Sequence, residues 1–187
     1  MSSVPKSRRE KHDFLANHKL KQIRKRITEL AINDFGYDRE KLEKQIQRFS
    51  EHIGEFEGKE DTIRKKREKN VSFYADFVEE ETAITRQILR KAVFEFELGN
   101  SIFPSGEAVL VEYCERRKHL NKAIGHLNCL KQELCYIAET LPGDKNRYDN
   151  ITAEIKEEIA LIKGVRKAAN KYLAGKNKEK PENNEVG

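Results

Sequence analysis

The chain has no tryptophan, a single methionine and only four prolines in 187 residues. Pro5, Pro104, Pro142 and Pro181 all fall where apolar periodicity is interrupted, so the long stretches between them are free to be helical. Three cysteines, Cys114, Cys129 and Cys135, are odd in number and lack the spacing of a disulfide framework or a zinc finger. They read as small apolar fillers in a reducing compartment. No apolar run approaches the roughly 18 residues that a membrane span needs. The opening MSSVPKSRREKHD has charge but no apolar core, which is not the pattern of a secretory signal. These absences predict a cytoplasmic protein without a membrane segment.

Catalytic signatures are also missing. There is no P-loop, no glycine-rich dinucleotide fingerprint after a strand, no H-E-x-x-H and no G-x-S-x-G. The Glu-x-x-His pairs with which helical bundles hold two metals do not occur. His119, His126 and Cys129 share one side of a long helix, and partly buried polar packing explains them better than a metal site. The carboxylates lie in charged runs that read as a solvated face rather than an acid/base pair. Phe73, Tyr74, Phe77, Phe94 and Phe96 recur at helical spacing, the habit of core residues. No catalytic residue, metal or cofactor is assigned, and the chain is expected not to be an enzyme.

What is present is charge and periodicity. Charged and hydrophobic residues each make up 37% of the chain, a balance typical of long amphipathic helices. Ser7 and Glu10 have capping-box spacing, and Leu20, Ile23, Ile27 and Leu30 follow at steps of three and four. Gly36 offers a left-handed stop, after which Asp38 caps a shorter stretch through Leu42 and Ile46. The run EGKEDTIRKKREKN is a basic connector, either loop or frayed helix. Further helices are predicted over about 70–98, with Phe73, Phe77, Ile84, Ile88 and Ala92 buried, over about 106–140 with a cap at Ser105, and over about 148–173. The fold class is therefore all-α: an up-and-down four-helix bundle spanning residues 7–175, preceded by an arm at 1–6. Residues 38–69 form a short helical, basic insertion after the first helix, and residues 176–187 are expected to be a disordered tail.

Position gives the mild net charge of +5 its meaning. From Lys6 to Arg26 nine Lys and Arg oppose two acids, and from Lys163 to Lys180 seven oppose one. In an up-and-down bundle the first helix starts where the last one finishes. Lys6, Arg8, Arg9 and Lys11 are thus expected near Arg166, Lys167 and Lys171, with Arg24, Lys25, Arg26 and Lys163 extending the basic surface. Such a surface suits a polyanion. Cations at a helix C-terminus also compensate its dipole, but that explanation fails for the first helix, where they sit at the wrong pole.

Particular segments then carry a resemblance. SVPKSRRE, the GNSIFP break, ERRKHLNKAI (115–124), the turn with Leu141, Pro142, Asp144, Asn146 and Tyr148, and EIALIKGVRKAANK occur in an order and spacing similar to the Avd-like four-helix-bundle proteins. These are the accessory variability determinants of diversity-generating retroelements. The resemblance covers the N-terminal dozen residues and most of 99–173, and is less clear over 38–70. It implies a non-catalytic partner of a reverse transcriptase that binds RNA or DNA and forms a homo-oligomer, typically a pentamer. It places Arg116 and Arg117 at the arginine pair opening the third bundle helix, and Arg166 and Lys167 at the Arg-Lys near the end of the fourth, and all four are expected to belong to the nucleic-acid-binding surface. The chain departs from the pattern at Val165, where the family has tryptophan, at Ala168-Ala169, where it has Ser-Asp, and at Gly99, where alanine is frequent.

Gly164, in the middle of the last helix, suggests close approach by a neighbouring helix or subunit, or simple tolerance of a crowded end. Two other functions fit the composition. One is a scaffold bundle that binds protein partners through its helix faces; the other is a bundle of another mobile element, such as an rRNA intervening sequence.

Overall fold

Among the described residues there are five helices of more than ten residues, and apolar side chains at every third or fourth position line most of their length. A computed structural model describes the backbone at residues 6–52 and 60–174. Within that span, the side chains at 6–14, 45–46, 49–52, 60–61, 63–64, 67–68, 171 and 174 lie outside the description. The helices are α1 (Lys6–Ile32), α2 (Arg39–His52), α3 (Glu60–Ser101), α4 (Val109–Thr140) and α5 (Asn146–Ala168), followed by the single turn α6 (Lys171–Ala174). No strand occurs among the described residues. Of the arm expected at 1–6, residues 1–5 lie outside them and Lys6 already belongs to α1, and the tail expected at 176–187 also lies outside them.

The helices pack as a bundle. α3 and α4 share the longest seam, α4 packs on α5, and α1 lies against both α5 and α3. Side-chain pairs fix the directions. Lys19 meets Glu157, Arg26 meets Glu154, and the Tyr148 hydroxyl reaches back to Phe35, so α1 and α5 are antiparallel. Glu95 meets His119, and the Phe77 ring meets that of Tyr136, so α3 and α4 are antiparallel too. The stripes interlock in one core of Leu20, Ile23, Ile27, Phe96, Leu120, Leu127, Leu134, Ile137, Ile155 and Ile162. At roughly 25 cal/mol per Å² of apolar surface, that burial is the main stabilising term.

Several local expectations are revised. α1 is already helical at Lys6, so Ser7 lies inside it rather than capping it. The stretch 38–69, expected as a short helical insertion, holds α2 and, beyond the undescribed 53–59, the first ten residues of α3, which run without a break into the helix expected to begin at Asn70. Asp38 does cap α2, accepting a hydrogen bond from the Lys41 N–H at 2.9 Å. Ser105 is not a cap; its N–H donates instead to the Glu112 carboxylate at 3.0 Å, and α4 starts at Val109. Cys114, Cys129 and Cys135 are all exposed rather than core fillers. Phe73, expected in the core, is 55% exposed. A Cβ on Gly164 would meet nothing within 4 Å, so no helix of the same chain approaches it closely. Gly99 is where helices do come close: a Cβ there would stand 3.0 Å from Leu120 Cγ and 3.2 Å from the Arg116 carbonyl oxygen.

The α1–α2 turn is strained. Asp34 (φ 48°), Phe35 (φ 54°) and Gly36 (φ 80°) are successively left-handed, a conformation that only glycine adopts without cost. Burial of the Phe35 ring and a 2.7 Å hydrogen bond from the Tyr148 hydroxyl to the Phe35 carbonyl hold it there. Burial also pushes the Tyr148 hydroxyl up to about 12, so it stays a donor at any ordinary pH. Tyr148→Phe should cost about 1–2 kcal/mol, because the buried carbonyl then loses its donor. Denaturant melts of the two proteins check this, and equal midpoints would show that water replaces the hydroxyl.

Candidate nucleic-acid interface

The basic residues singled out by the sequence divide into several groups. Lys6, Arg8, Arg9 and Lys11 occupy the first turns of α1, whose antiparallel register runs alongside the last turns of α5; their side chains and that of Lys171 lie outside the described residues. Arg24 and Lys25 are exposed, Lys25 is 3.8 Å from Glu29, and Arg26 is paired with Glu154. Since Glu154 and Arg166 are twelve residues apart on α5, Arg26 sits about 18 Å along the axis from Arg166. This group does not belong to the basic end.

Arg116 has a different location from the surface role that the resemblance implies. It is 3% exposed, and one guanidinium nitrogen donates to the carbonyls of Gly99 (2.9 Å), Asn100 (3.2 Å) and Ile102 (2.7 Å). The other donates to the Asn100 side-chain oxygen at 3.3 Å, and the cation lies 5.7 Å from the centre of the Phe103 ring. Gly99 and Asn100 are among the carbonyls that the end of α3 leaves without helical partners, and Ile102 follows directly after that end. A buried planar cation at the negative pole of that helix satisfies them and ties the α3–α4 turn together. Arg116 is spent on the fold.

Its neighbour Arg117 points to the α4–α5 seam. Its guanidinium donates to the Tyr113 hydroxyl at 3.1 Å and approaches the Asn170 side-chain oxygen at 3.5 Å; the Tyr113 hydroxyl donates to that same oxygen at 2.8 Å. One turn along α4, Asn121 accepts a 2.5 Å hydrogen bond from Arg166. Lys163 and Lys167 flank Arg166 and are exposed. The structure thus brings together Arg117, Lys163, Arg166 and Lys167, with two guanidinium groups held by neutral amide and phenol oxygens. Among the described residues no carboxylate is paired with either, so none of these cancels their charge locally.

The sequence misplaced two acids. Glu158 is 0% exposed and neither carboxylate oxygen has a hydrogen-bond partner among the described residues; burial pushes its carboxyl up to about 8, against a smaller opposing pull from Lys19. Glu81 is 4% exposed, and burial together with Glu133 across the seam and Glu80 beside it raises its carboxyl to about 7. Their charged runs predict a solvated face for both. The register held the signal: Glu158 lies between Ile155 and Ile162 on the apolar stripe, and Glu81 between Phe77 and Thr85. Neither builds a metal site, for no group of three metal-ligating side chains occurs among the described residues. His119 bonds Glu95 at 2.6 Å, whose other oxygen meets Lys122 at 3.3 Å, and that partnership holds Glu95 below the usual carboxylate range.

No described helix is long and apolar enough to cross a membrane. Comparison with family models, curated proteins and solved structures finds no match to this chain.

Proposed function

We propose that this chain is a non-enzymatic nucleic-acid-binding protein, the accessory subunit of a diversity-generating retroelement, acting in the cytoplasm beside a reverse transcriptase. In this proposal the four long helices form an up-and-down bundle, copies of which assemble as a homo-oligomer, typically five. RNA or cDNA is held at the end where α1 begins and α5 finishes. The observation that supports it best is the group of Arg117, Lys163, Arg166 and Lys167 on the α4–α5 seam, cations without carboxylate partners there. The segments similar to Avd-like proteins supply the retroelement context.

The chemistry needed is simple. Guanidinium groups oriented by Asn121, Tyr113 and Asn170 present several N–H donors to phosphate oxygens without paying again to order the side chain. Binding releases counterions, so affinity falls steeply with salt. Replacing Arg166 and Lys167 together with glutamine should weaken RNA binding and reduce the slope of log affinity against log salt by about 1.5, two phosphate contacts at about 0.7 each on a single strand. Anisotropy titrations over a range of salt measure it. An unchanged slope would remove this seam from the interface.

A further inference from the structure

We propose that the N-terminal part of α3 carries a second surface, distinct from the α4–α5 end, that binds single-stranded nucleic acid by stacking a base on Phe73 and contacting phosphates with Lys65, Lys66 and Lys69. The inference rests on the nucleic-acid function proposed above but uses none of its residues. Its starting point is length. The Phe77 ring meets Tyr136 at 5.5 Å, one turn before α4 ends at Thr140. α3 therefore continues past the end of α4 from about residue 72 back to Glu60, a rise of about 20 Å. Over that length it packs on α2, forming a two-helix arm.

The outer face of the arm is not a neutral solvated surface. Lys66, Lys69 and Phe73 follow one another at steps of three and four, and Lys65 lies one turn before Lys69, so the four fall within about 100° of the helix circumference as one exposed stripe. None of the three lysines has a carboxylate within ion-pair distance among the described side chains. Phe73 is backed rather than loose: its ring stacks at 6.1 Å on Phe77 and meets the edge of Tyr74 at 5.6 Å, and Tyr74 meets Tyr37 at 5.7 Å. A half-exposed ring fixed by inner rings is a stacking platform of the kind that unpaired bases use, with lysines one and two turns away for the backbone. A base in a duplex has no free face to offer, which is why the partner is a single strand. Asp76, Glu79 and Glu80 follow within two turns and are exposed, so they bound the footprint on its C-terminal side.

The absence of tryptophan makes the test direct. In full-length Phe73→Trp the introduced indole is the only one, and oligouridylate should quench its fluorescence saturably while duplex RNA leaves it unchanged. Phe73→Ala should weaken oligouridylate binding about 5- to 100-fold. Lys65→Ala/Lys66→Ala/Lys69→Ala, whose changes are all on exposed positions, should lower the salt slope by about 2. If oligouridylate binds, as anisotropy reports, yet the indole is not quenched and these variants bind as the parent does, the arm is overturned and the α4–α5 end stands. If the parent protein binds neither RNA nor DNA oligonucleotides at low salt, both proposals fall.

Discussion

Arg116→Ala is expected to destabilise the protein by about 3 kcal/mol, a fall of roughly 6–12 °C in thermal midpoint for a chain of this size. The wild-type guanidinium makes three bonds to backbone carbonyls and one to a side-chain oxygen, and lies beside the Phe103 ring. Removing it leaves the Gly99 carbonyl, buried where α3 and α4 approach most closely, without its donor. A charge-assisted bond is worth about 1.5–3 kcal/mol, and relief from burying the cation offsets part of the total. Arg116→Lys should recover less than half, because an ammonium is a point donor that does not span three carbonyls. Denaturant unfolding of the three proteins gives the comparison. The same variants separate the two roles of the arginine pair: folded Arg116→Ala should keep its nucleic-acid affinity, whereas loss of affinity without loss of stability would return Arg116 to the interface.

The helical class was legible because the core residues of α1, α4 and α5 repeat at three and four, and the stripes Leu20–Ile27, Leu120–Ile137 and Ile151–Ile162 are buried as that period predicts. The extent of α3 was not. Residues 60–69 have so few apolar positions that no stripe shows, and their helicity follows from continuity with the packed helix beyond and from α2 alongside. Charge was the poorest guide. Arg116 and Arg117 are adjacent and chemically the same, yet a helix turns successive side chains by 100°, so one faces the end of α3 and the other the α5 seam. The pairing of Arg26 with Glu154 likewise needs the register between two helices, which a single helical period does not contain.

Register also decides the behaviour of Glu158, and Glu158→Leu is expected to stabilise the protein, by about 3 kcal/mol at pH 9 and by much less at pH 5. The folded carboxyl titrates near 8 against an ordinary 4.5. Below about pH 4.5 both states hold the proton and the group contributes no pH dependence. Between 4.5 and 8 the unfolded chain releases its proton while the folded one keeps it, so stability falls as pH rises. Above 8 the folded protein must ionise a carboxylate buried among Ile155, Ile159 and Ile162, and the penalty is complete. Lys19, whose ammonium is engaged by Glu157, offsets only a smaller part of it. Leucine matches glutamate closely in volume and leaves no polar atom unpartnered, so it removes the penalty without a cavity. Unfolding curves at the two pH values provide the test, and a gain that is the same at both would mean that Glu158 is not the group that titrates. A smaller decline between pH 5 and 8 should persist in the variant, belonging to Glu81, whose carboxyl rises to about 7 beside Glu133. Adding Glu81→Gln should flatten it, because an amide in place of the shared proton donates to Glu133 without charge. The bundle is thus expected to be most stable where both acids are neutral and to lose stability as they ionise.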